Sequence, residues 1–318
     1  MSLLESVRLY SVRIPMTVRF RRVTEREAVI IRGPEGWGEF SPFPDYPPEV
    51  TVRWLAAALE LACSPLPEPV RDQIPTSLTI PAVDVRHATD LVRESGASTA
   101  KVKVADAGES TETYLERVKA VRDALGPSGK LRVDVNAQWE VDEAVERIEQ
   151  LSQFNLQFVE QPVRTIDELA EVRKRVDVPI AADESVRLAS DPMEVVRREA
   201  ADFLVLKPQA LGGVSRALDI ADRSGLPVVV SSALETSIGL WAGVALAAAL
   251  PKLNHACGLD TARLLVGDVV DSPLSPIRGV LGVRRPEPNL DLIMRWEADR
   301  ETESRLMRRL RQAAELLT

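Results

Sequence analysis

Five short motifs recur along the middle of the chain: Lys101-Val102-Lys103, Asp134-Val135-Asn136, Glu160-Gln161-Pro162, Asp183-Glu184-Ser185 and Lys207-Pro208. Each motif stands at or just after the end of a short apolar run, and helical sequence separates it from the next. The motifs follow one another at intervals of 23 to 31 residues, about the length of one strand-plus-helix unit in a parallel α/β fold. The spacing therefore predicts ionisable residues at one end of five successive units.

The alternation of strand and helix patterns extends beyond this stretch and predicts the fold class. Eight apolar runs, separated by helical periodicity, cover residues 77–80, 99–104, 131–135, 156–159, 178–182, 202–206, 226–231 and 253–257. Eight parallel strands joined by right-handed crossovers close most naturally into a barrel. The alternative, an open doubly wound sheet, lacks the phosphate-binding Gly-x-Gly-x-x-Gly turn after its first strand. We therefore predict an α/β protein with a modified TIM barrel, (β/α)7β.

The two ends of the chain depart from this alternation and predict a second, smaller domain. The elements expected there are strands at 3–14, 27–32 and 37–40, a mobile basic connection at 19–22, a helix at 49–62 and a charged amphipathic helix at 293–317. A proline-rich segment at 63–76 leads into the barrel, which we place at 77–263. We expect residues 1–76 and 264–318 to form a small α+β capping domain together.

Composition limits the classes of partner and the location. The 318 residues carry a net charge of −8 and give no basic surface for nucleic acid or an anionic membrane, so neither is expected as a partner. Cys63 and Cys257 are the only cysteines, too few for a disulfide framework or a structural zinc site. The N-terminus shows no signal-peptide pattern and no apolar run reaches about 18 residues. We expect a cytoplasmic protein without membrane insertion, and the acidic surface slightly favours a monomer.

Three acids in the central motifs suggest a metal site. Asp134, Glu160 and Asp183 end consecutive predicted strands, and a barrel brings such ends together at its C-terminal mouth. Carboxylates gathered in this way repel one another unless a positive group lies between them. A set of oxygen ligands with room for water and substrate suits Mg²⁺, with Mn²⁺ as a substitute, better than a closed Ca²⁺ cage. Taken singly, each acid could instead cap the helix that follows it.

Three lysines accompany the acids. Lys101 and Lys103 are two residues apart on one predicted strand, so both side chains point into the barrel beside the acids. A second ammonium group and a dication both lower the pKa of a lysine, which makes either residue a candidate base. Lys207 ends a strand on the opposite side of the ring, so it would face a ligand from the other side. The alternative is a set of lysines that only neutralises the acids.

This combination of motifs resembles the enolase superfamily, specifically the branch related to muconate-lactonizing enzyme. The likeness covers the order and spacing of the motifs across the barrel, and it implies a divalent metal ion, loops of a capping domain over the substrate, and proton abstraction next to a carboxylate to give an enediolate. The resemblance implies roles for eight residues: Asp134, Glu160 and Asp183 as metal ligands, Lys103 as the base, Lys207 opposite it, and Lys101, Asn136 and Glu184 as supporting groups, with Glu184 paired to Lys207.

The sequence near the last two predicted strands narrows the substrate. Dipeptide epimerases of this branch carry Asp-x-Asp on the eighth strand, whereas this chain has Gly258-Leu259-Asp260-Thr261 with one acid. Together with residues 231–237, this segment resembles the dehydratases of the branch that act in menaquinone biosynthesis. That likeness implies a hydro-lyase that converts 2-succinyl-6-hydroxy-2,4-cyclohexadiene-1-carboxylate by syn-dehydration. An N-succinylamino acid racemase, a cycloisomerase and a non-catalytic barrel that binds a carboxylate stay open as alternatives.

Six further residues are candidates for contact with a small carboxylate substrate: Ser231, Ser232, Gly212, Gly213, Arg19 and Arg21. Hydroxyl groups and backbone N–H groups at strand ends can bind a carboxylate, although serine and glycine are also common in such turns for conformational reasons. The two arginines could clamp a dianion from the capping domain, or they could form a solvated charged face.

Overall fold

The structure is a computed structural model that describes residue 4, residues 6–20 and residues 23–317. Its N-terminal part is an antiparallel sheet of β1 (Arg8–Phe20), β2 (Val23–Arg32) and β3 (Trp37–Phe40), packed against helix α1 (Pro48–Cys63). Trp54 and Leu55 of α1 are fully buried in the core between helix and sheet. This unit is the predicted small α+β structure.

The remaining elements follow in alternation. The strands are β4 (Gln73–Pro75), β5 (Leu78–Ile80), β6 (Thr99–Lys103), β7 (Lys130–Asp134), β8 (Leu156–Glu160), β9 (Ile180–Ala182), β10 (Phe203–Leu206), β11 (Val228–Val230) and β12 (Val280–Gly282). The helices are α2 (Val85–Ser95), α3 (Thr111–Leu125), α4 (Val141–Ser152), α5 (Ile166–Arg175), α6 (Glu184–Arg187), α7 (Glu194–Arg197), α8 (Pro208–Leu211), α9 (Val214–Ser224), α10 (Ser237–Ala249), α11 (Leu290–Arg295) and α12 (Arg300–Glu315), with a 3₁₀ turn at Thr261–Leu264.

Seven strands form one curled parallel sheet in the order β11-β10-β9-β8-β7-β6-β5. Of the predicted eighth strand at 253–257, only Cys257 pairs, through a parallel bridge to Thr76, and Gly258 just after it makes a parallel bridge to Ser231. Because these bridges reach both edges of the sheet, the short segment closes the ring. The predicted α/β barrel is confirmed, with an eighth strand shorter than expected.

The first hairpin is longer than the sequence analysis predicted. β1 continues to Phe20 and β2 begins at Val23, so Arg19 and Phe20 belong to a strand and not to a mobile connection. The sequence indicates this longer strand, because polar Thr17 and Arg19 alternate with apolar Val18 and Phe20. In the structure Thr17 and Arg19 are exposed, and Val18 and Phe20 are more buried. The rest of the predicted connection, residues 21 and 22, lies outside the described residues.

The predicted C-terminal helix at 293–317 is two helices, α11 and α12, with a break between them. The segment in the break pairs with β1, since Ala298 N–H donates to the carbonyl of Ser11, and Arg13 N–H donates to the carbonyl of Trp296. Asp299 then caps α12, which packs on α1 and on the N-terminal sheet. The domain boundaries at residues 76 and 263 stay predictions.

Two carboxylates of the N-terminal unit cap helices of the barrel. Glu39 of β3 accepts hydrogen bonds from the N–H groups of Thr236 and Gly239 at the start of α10. Glu60 of α1 accepts from the N–H group of Val214 at the start of α9. A helix N-terminus offers unpaired N–H groups and a partial positive charge, so an acid from another element stabilises it. These contacts fix the small unit against the barrel.

Over the described part of the chain, no helix combines the length and the apolar character needed to cross a membrane.

Candidate active site

The central motifs meet at one end of the barrel. In the strand register Lys103 lies beside Asp134, and Asp134 lies beside Glu160. Asp183 directly follows β9, the next strand of the sheet. The carboxyl ends of neighbouring parallel strands meet at the same edge, so the three predicted metal ligands share one mouth, and all three are fully or almost fully buried.

Lys101 lies between two of these acids. Its Nζ atom is 2.9 Å from both carboxylate oxygens of Glu160 and 3.1 Å from Oδ2 of Asp134. Burial alone would lower the pKa of Lys101, but Glu160 and Asp134 outweigh it and raise that pKa. Burial also raises the pKa of Glu160 to about 7, and the nearby charge of Asp134 adds to the rise. With Glu160 and Asp134 against it, the ammonium form of Lys101 is favoured.

Lys103, the predicted base, stands at the entrance of the site. Its Nζ atom donates to Oδ2 of Asp134 at 2.5 Å and to Oδ1 of Asn136 at 2.6 Å. It also lies 5.1 Å from the centre of the Phe20 ring. Burial would raise the pKa of Asp134, but Lys103 and Lys101 hold that pKa well below its usual range. Asp134 is therefore an ionised oxygen donor.

Asp183 is held by two cations. Lys207 donates to its Oδ2 atom at 2.6 Å, and Nε of Arg187 donates to its Oδ1 atom at 3.0 Å. Burial opposes ionisation, yet Arg187 and Lys207 lower the pKa of Asp183. The predicted pairing of Glu184 with Lys207 is wrong, because Glu184 points to Arg187 instead, with its Oε1 atom 2.6 Å from Nη2. The position of Arg187 one helical turn after Asp183 explains this exchange.

The donor set fits a hard divalent cation, although lysines lie against it here. The three acids offer only oxygen, and the mutual repulsion of Glu160 and Asp134 is the kind that a dication relieves. As the described side chains stand, no three His, Cys, Asp or Glu residues are grouped closely enough to hold a metal ion. Lys101 accounts for part of this, since its ammonium group bridges two of the acids.

Two adjoining cavities open at this mouth. The larger, of about 230 Å³, is bounded by both the N-terminal unit and the barrel, and its lining includes Arg19, Phe20, Phe43, Asp45, Tyr46, Lys103, Asp106, Asn136 and Gln138. The smaller, of about 20 Å³, extends inward and is lined by Phe20, Phe43, Thr79, Lys101, Lys103, Lys207, Ser231, Ser232, Ala233, Leu234, Gly258 and Thr261. Lys103 and Lys207 thus border one space, with both serines beside them.

The weaker substrate-contact candidates divide between the site and the rest of the barrel. Arg19, Ser231 and Ser232 line the cavities, and the hydroxyl of Ser232 donates to the carbonyl of Gly258 at 2.6 Å. Gly212 and Gly213 line neither cavity. They form the turn before α9, where a Cβ on Gly213 would lie 2.3 Å from a carboxylate oxygen of Glu60. The predicted carboxylate ligand of this turn is thus a side chain of the protein itself. Arg21 lies outside the described residues.

Sequence reasoning missed four residues of the site: Phe20, Phe43, Tyr46 and Arg187. The first three come from the N-terminal unit, and no local pattern shows which of its side chains face the barrel. Arg187 could have been found, because it follows Asp183 by four residues in a short helical stretch and a buried acid needs a partner.

The fold agrees with comparisons to known proteins. Residues 84–288 match the family model described as enolase C-terminal domain-like, and residues 11–62 match the enolase N-terminal domain-like model. The chain belongs to the enolase superfamily, whose members typically use a divalent metal ion. Within it, the chain belongs with relatives named o-succinylbenzoate synthase.

Two such relatives show the extent of the match. The o-succinylbenzoate synthase of Thermobifida fusca is 57% identical over 286 residues, which cover 90% of this chain and 90% of the relative. That of Mycolicibacterium smegmatis is 50% identical over 284 residues, covering 89% and 87%. The predicted superfamily and the predicted class of enzyme are thereby confirmed.

Solved structures of more distant proteins share the fold. A dipeptide epimerase from Enterococcus faecalis superposes with a TM-score of 0.73 at 25% identity, over 89% of this chain and 97% of the other. An N-succinyl Arg/Lys racemase from Bacillus cereus superposes with a TM-score of 0.79 at 20% identity, over 92% and 97%. At 20% identity, the racemase supports the fold and nothing finer.

Proposed function

We propose that this protein catalyses the Mg²⁺-dependent syn-dehydration of 2-succinyl-6-hydroxy-2,4-cyclohexadiene-1-carboxylate to o-succinylbenzoate. The observation that carries the proposal is the extended match with o-succinylbenzoate synthases, combined with Lys103 and Lys207 bordering one cavity beside three buried acids. The reaction needs a base next to a carboxylate, a counter-charge for the anion that forms, and a proton for the departing hydroxyl. The chain offers a group for each of these tasks.

Asp134, Glu160 and Asp183 would hold the metal ion. Four acids, these three and Glu184, face four cations, Lys101, Lys103, Lys207 and Arg187, so their formal charges balance. When bound, Mg²⁺ supplies positive charge that attracts the substrate carboxylates and makes a nearby ammonium group easier to deprotonate. Mn²⁺, with similar ligand preferences, is expected to substitute.

Lys103 is the proposed base. It borders both cavities and its side chain is 13% exposed, so a bound substrate can reach its Nζ atom. Asn136 offers a neutral oxygen that orients the amine without adding a charge that would favour its protonated form. The neutral amine of Lys103 takes the proton next to the carboxylate. The ammonium group then returns a proton to the departing hydroxyl on the same face, which accounts for syn stereochemistry.

Lys207 is the proposed electrostatic partner across the cavity. Its pairing with Asp183 in a buried setting favours its cationic form. A fixed cation over the ring stabilises negative charge that develops when the proton leaves, and it requires no reorganisation at that moment. Lys101 neutralises Glu160 and Asp134 from beneath and would not contact the substrate proton.

The direct test is single-turnover dehydration of the cyclohexadiene acid with Mg²⁺, followed by the absorbance of the aromatic product. We expect turnover by the wild-type protein and a loss of several orders of magnitude in kcat for Lys103→Ala, with ligand binding largely kept. Arg173→Ala is the control and should retain activity, because Arg173 of α5 pairs with Asp202 just before β10 and neither residue lines the cavities. A wild-type protein without turnover would reject the proposal and favour a barrel that only binds carboxylates.

A racemase of N-succinyl amino acids is the second candidate, because Lys103 and Lys207 face the same cavity and two opposed lysines can exchange a proton on both faces of a carbon. Exchange of the α-proton of an N-succinyl amino acid in D₂O measures this activity. If the protein racemises N-succinyl amino acids well and does not dehydrate the cyclohexadiene acid, racemisation becomes the first candidate and dehydration is rejected. The cytoplasmic location and the preference for a monomer stay predictions.

A further inference from the structure

A continuous path of polar contacts runs from the N-terminal unit to Lys103 and Lys207. The path divides into two branches at Arg187. The arginine is 2% exposed at its side chain and makes three side-chain contacts. Its Nη1 atom donates to the hydroxyl of Tyr46, its Nε atom donates to Asp183, and its Nη2 atom donates to Glu184. One planar group therefore connects a capping-unit tyrosine with two acids of the barrel.

Each branch ends on a lysine of the site. Through Asp183, Arg187 is one residue away from Lys207, which lies 2.6 Å from the second oxygen of that carboxylate. The other branch passes from Oε1 of Glu184 to Nδ2 of Asn136 at 3.3 Å. From there Oδ1 of Asn136 accepts from Lys103 at 2.6 Å. A shift of the guanidinium group would thus disturb the surroundings of both lysines.

The loop that contains Tyr46 is held in place by the C-terminal helix α12. Arg309 of α12 donates to the carbonyls of Phe43 and Tyr46, at 2.7 and 3.2 Å. Tyr46 also lines the larger cavity together with Lys103 and Asn136. A ligand in that cavity therefore lies beside Tyr46 on one side and beside the lysine branch on the other.

We propose that Arg187 is a positioning residue that ties the loop containing Tyr46 to the placement of Lys103 and Lys207. The inference rests on the proposed dehydration, because it assigns the two lysines their roles in that reaction. Arg187 does not touch the substrate. It holds Asp183, which contacts Lys207, and Glu184, which reaches Lys103 through Asn136. The hydroxyl of Tyr46 in turn fixes the position of the guanidinium group of Arg187.

Three variants test the proposal. Tyr46→Phe removes one hydroxyl and keeps the ring that packs on Phe43, Arg187→Lys keeps the charge and loses the fork, and a third protein carries both changes. Each single change is expected to lower kcat by about 10- to 100-fold with KM changed less than about 3-fold, as loss of a group behind a functional residue typically does. In the double variant Tyr46→Phe should add less than about 2-fold, because its route through Arg187 is already broken.

The controls match the chemistry of each change. Tyr10→Phe on β1 and Arg173→Lys on α5 alter the same residue types away from the cavities and should leave kcat unchanged. Additive effects in the double variant, or a Tyr46→Phe protein with raised KM and normal kcat, would overturn the proposal.

Calorimetric titration with Mg²⁺ alone gives a readout that needs no turnover. Arg187→Lys should weaken Mg²⁺ binding about 10-fold through Asp183, and an unchanged affinity would overturn the inference. Absent wild-type turnover would instead reject the dehydration itself.

Discussion

Lys101 and Glu160 form a buried ion pair in which one ammonium nitrogen is 2.9 Å from both oxygens of the carboxylate. The side chains are 8% and 1% exposed, so water screens the pair weakly. Asp134 shares the same ammonium group at 3.1 Å. The positive charge of Lys101 thus permits Glu160 and Asp134 to lie side by side. We therefore expect Lys101 to contribute to the stability of the fold as well as to the site.

Lys101→Met is expected to destabilise the metal-free protein by about 3–5 kcal/mol, because removal of one partner leaves buried carboxylates uncompensated. Saturating Mg²⁺ should recover part of this loss, since a dication that binds only the folded state stabilises it. Urea unfolding with EDTA and with Mg²⁺ measures both quantities. Adding Glu160→Gln should restore part of the stability without metal, and a double variant no more stable than Lys101→Met would contradict this view of the pair.

Asp134 and Asp183 are expected to determine the affinity for Mg²⁺, whereas Asp260, which follows the last short strand, is not. Asp134→Asn and Asp183→Asn each remove a charged oxygen from the proposed set, and each is expected to weaken Mg²⁺ binding by 10-fold or more, as even supporting groups of metal sites do. Asp260→Asn is the control, because Asp260 is paired with Arg263 at 2.6 Å, away from the set. Isothermal titration of the metal-free proteins makes the comparison, and equal losses in all three variants would reject the assignment.

The sequence predicted the barrel, and which charged residues meet at its mouth, because one periodic pattern indicated both. Five of the seven strands of the sheet, β6 to β10, end in or directly before a charged residue such as Asp134 or Lys207, and parallel strands bring their ends together without further information. What the sequence did not predict depends on contacts across long separations. Tyr46 reaches Arg187 over 141 residues, and Glu60 reaches Val214 over 154. No periodicity within either segment records such a pairing.

The partner of Glu184 was predicted wrongly for a different reason, which is local. A carboxylate next to a metal ligand was expected to reach the lysine across the barrel, but the nearer arginine at the end of α6 has the better geometry, since residues three apart share a helix face. The turn at Gly212 and Gly213 is a related case. A glycine turn before a helix predicts a carboxylate at that N-terminus, and the sequence cannot distinguish a substrate from the side chain of Glu60.

Glu60 itself should contribute measurably to stability. It accepts from the N–H groups of Val214 at 2.5 Å and Ser215 at 3.0 Å, so it serves as the cap that α9 lacks in its own sequence. Glu60→Ala is expected to cost about 1–2 kcal/mol, in the range of a lost helix cap. Denaturant unfolding measures the change. Exposed Glu68 provides the matched control, and its change to alanine should stay within about 0.5 kcal/mol.

Glu39 makes the attachment of the N-terminal unit sensitive to pH. It is 1% exposed, and burial raises its pKa to about 7, although the hydrogen bond from the Thr236 hydroxyl opposes the rise. Because its pKa is higher in the folded protein than the usual 4.5, its contribution to stability is complete below about pH 4.5 and is lost as the pH rises through about 7. The part of the stability that depends on Glu39 should therefore fall by roughly 2–3 kcal/mol across that window.

Glu39→Gln isolates this contribution, since glutamine keeps an acceptor oxygen for the N–H groups of Thr236 and Gly239 and does not ionise. We expect the difference in unfolding free energy between the variant and the wild-type protein to shift in favour of the variant as the pH is raised from about 5 to 8. Urea unfolding at several pH values gives this difference directly. Glu35→Gln, at an exposed position in the turn before β3, should show no such trend. A difference that is flat with pH for Glu39→Gln would mean that Glu39 is ionised throughout, and that the helix N-terminus of α10 stabilises its charge more strongly than burial opposes it.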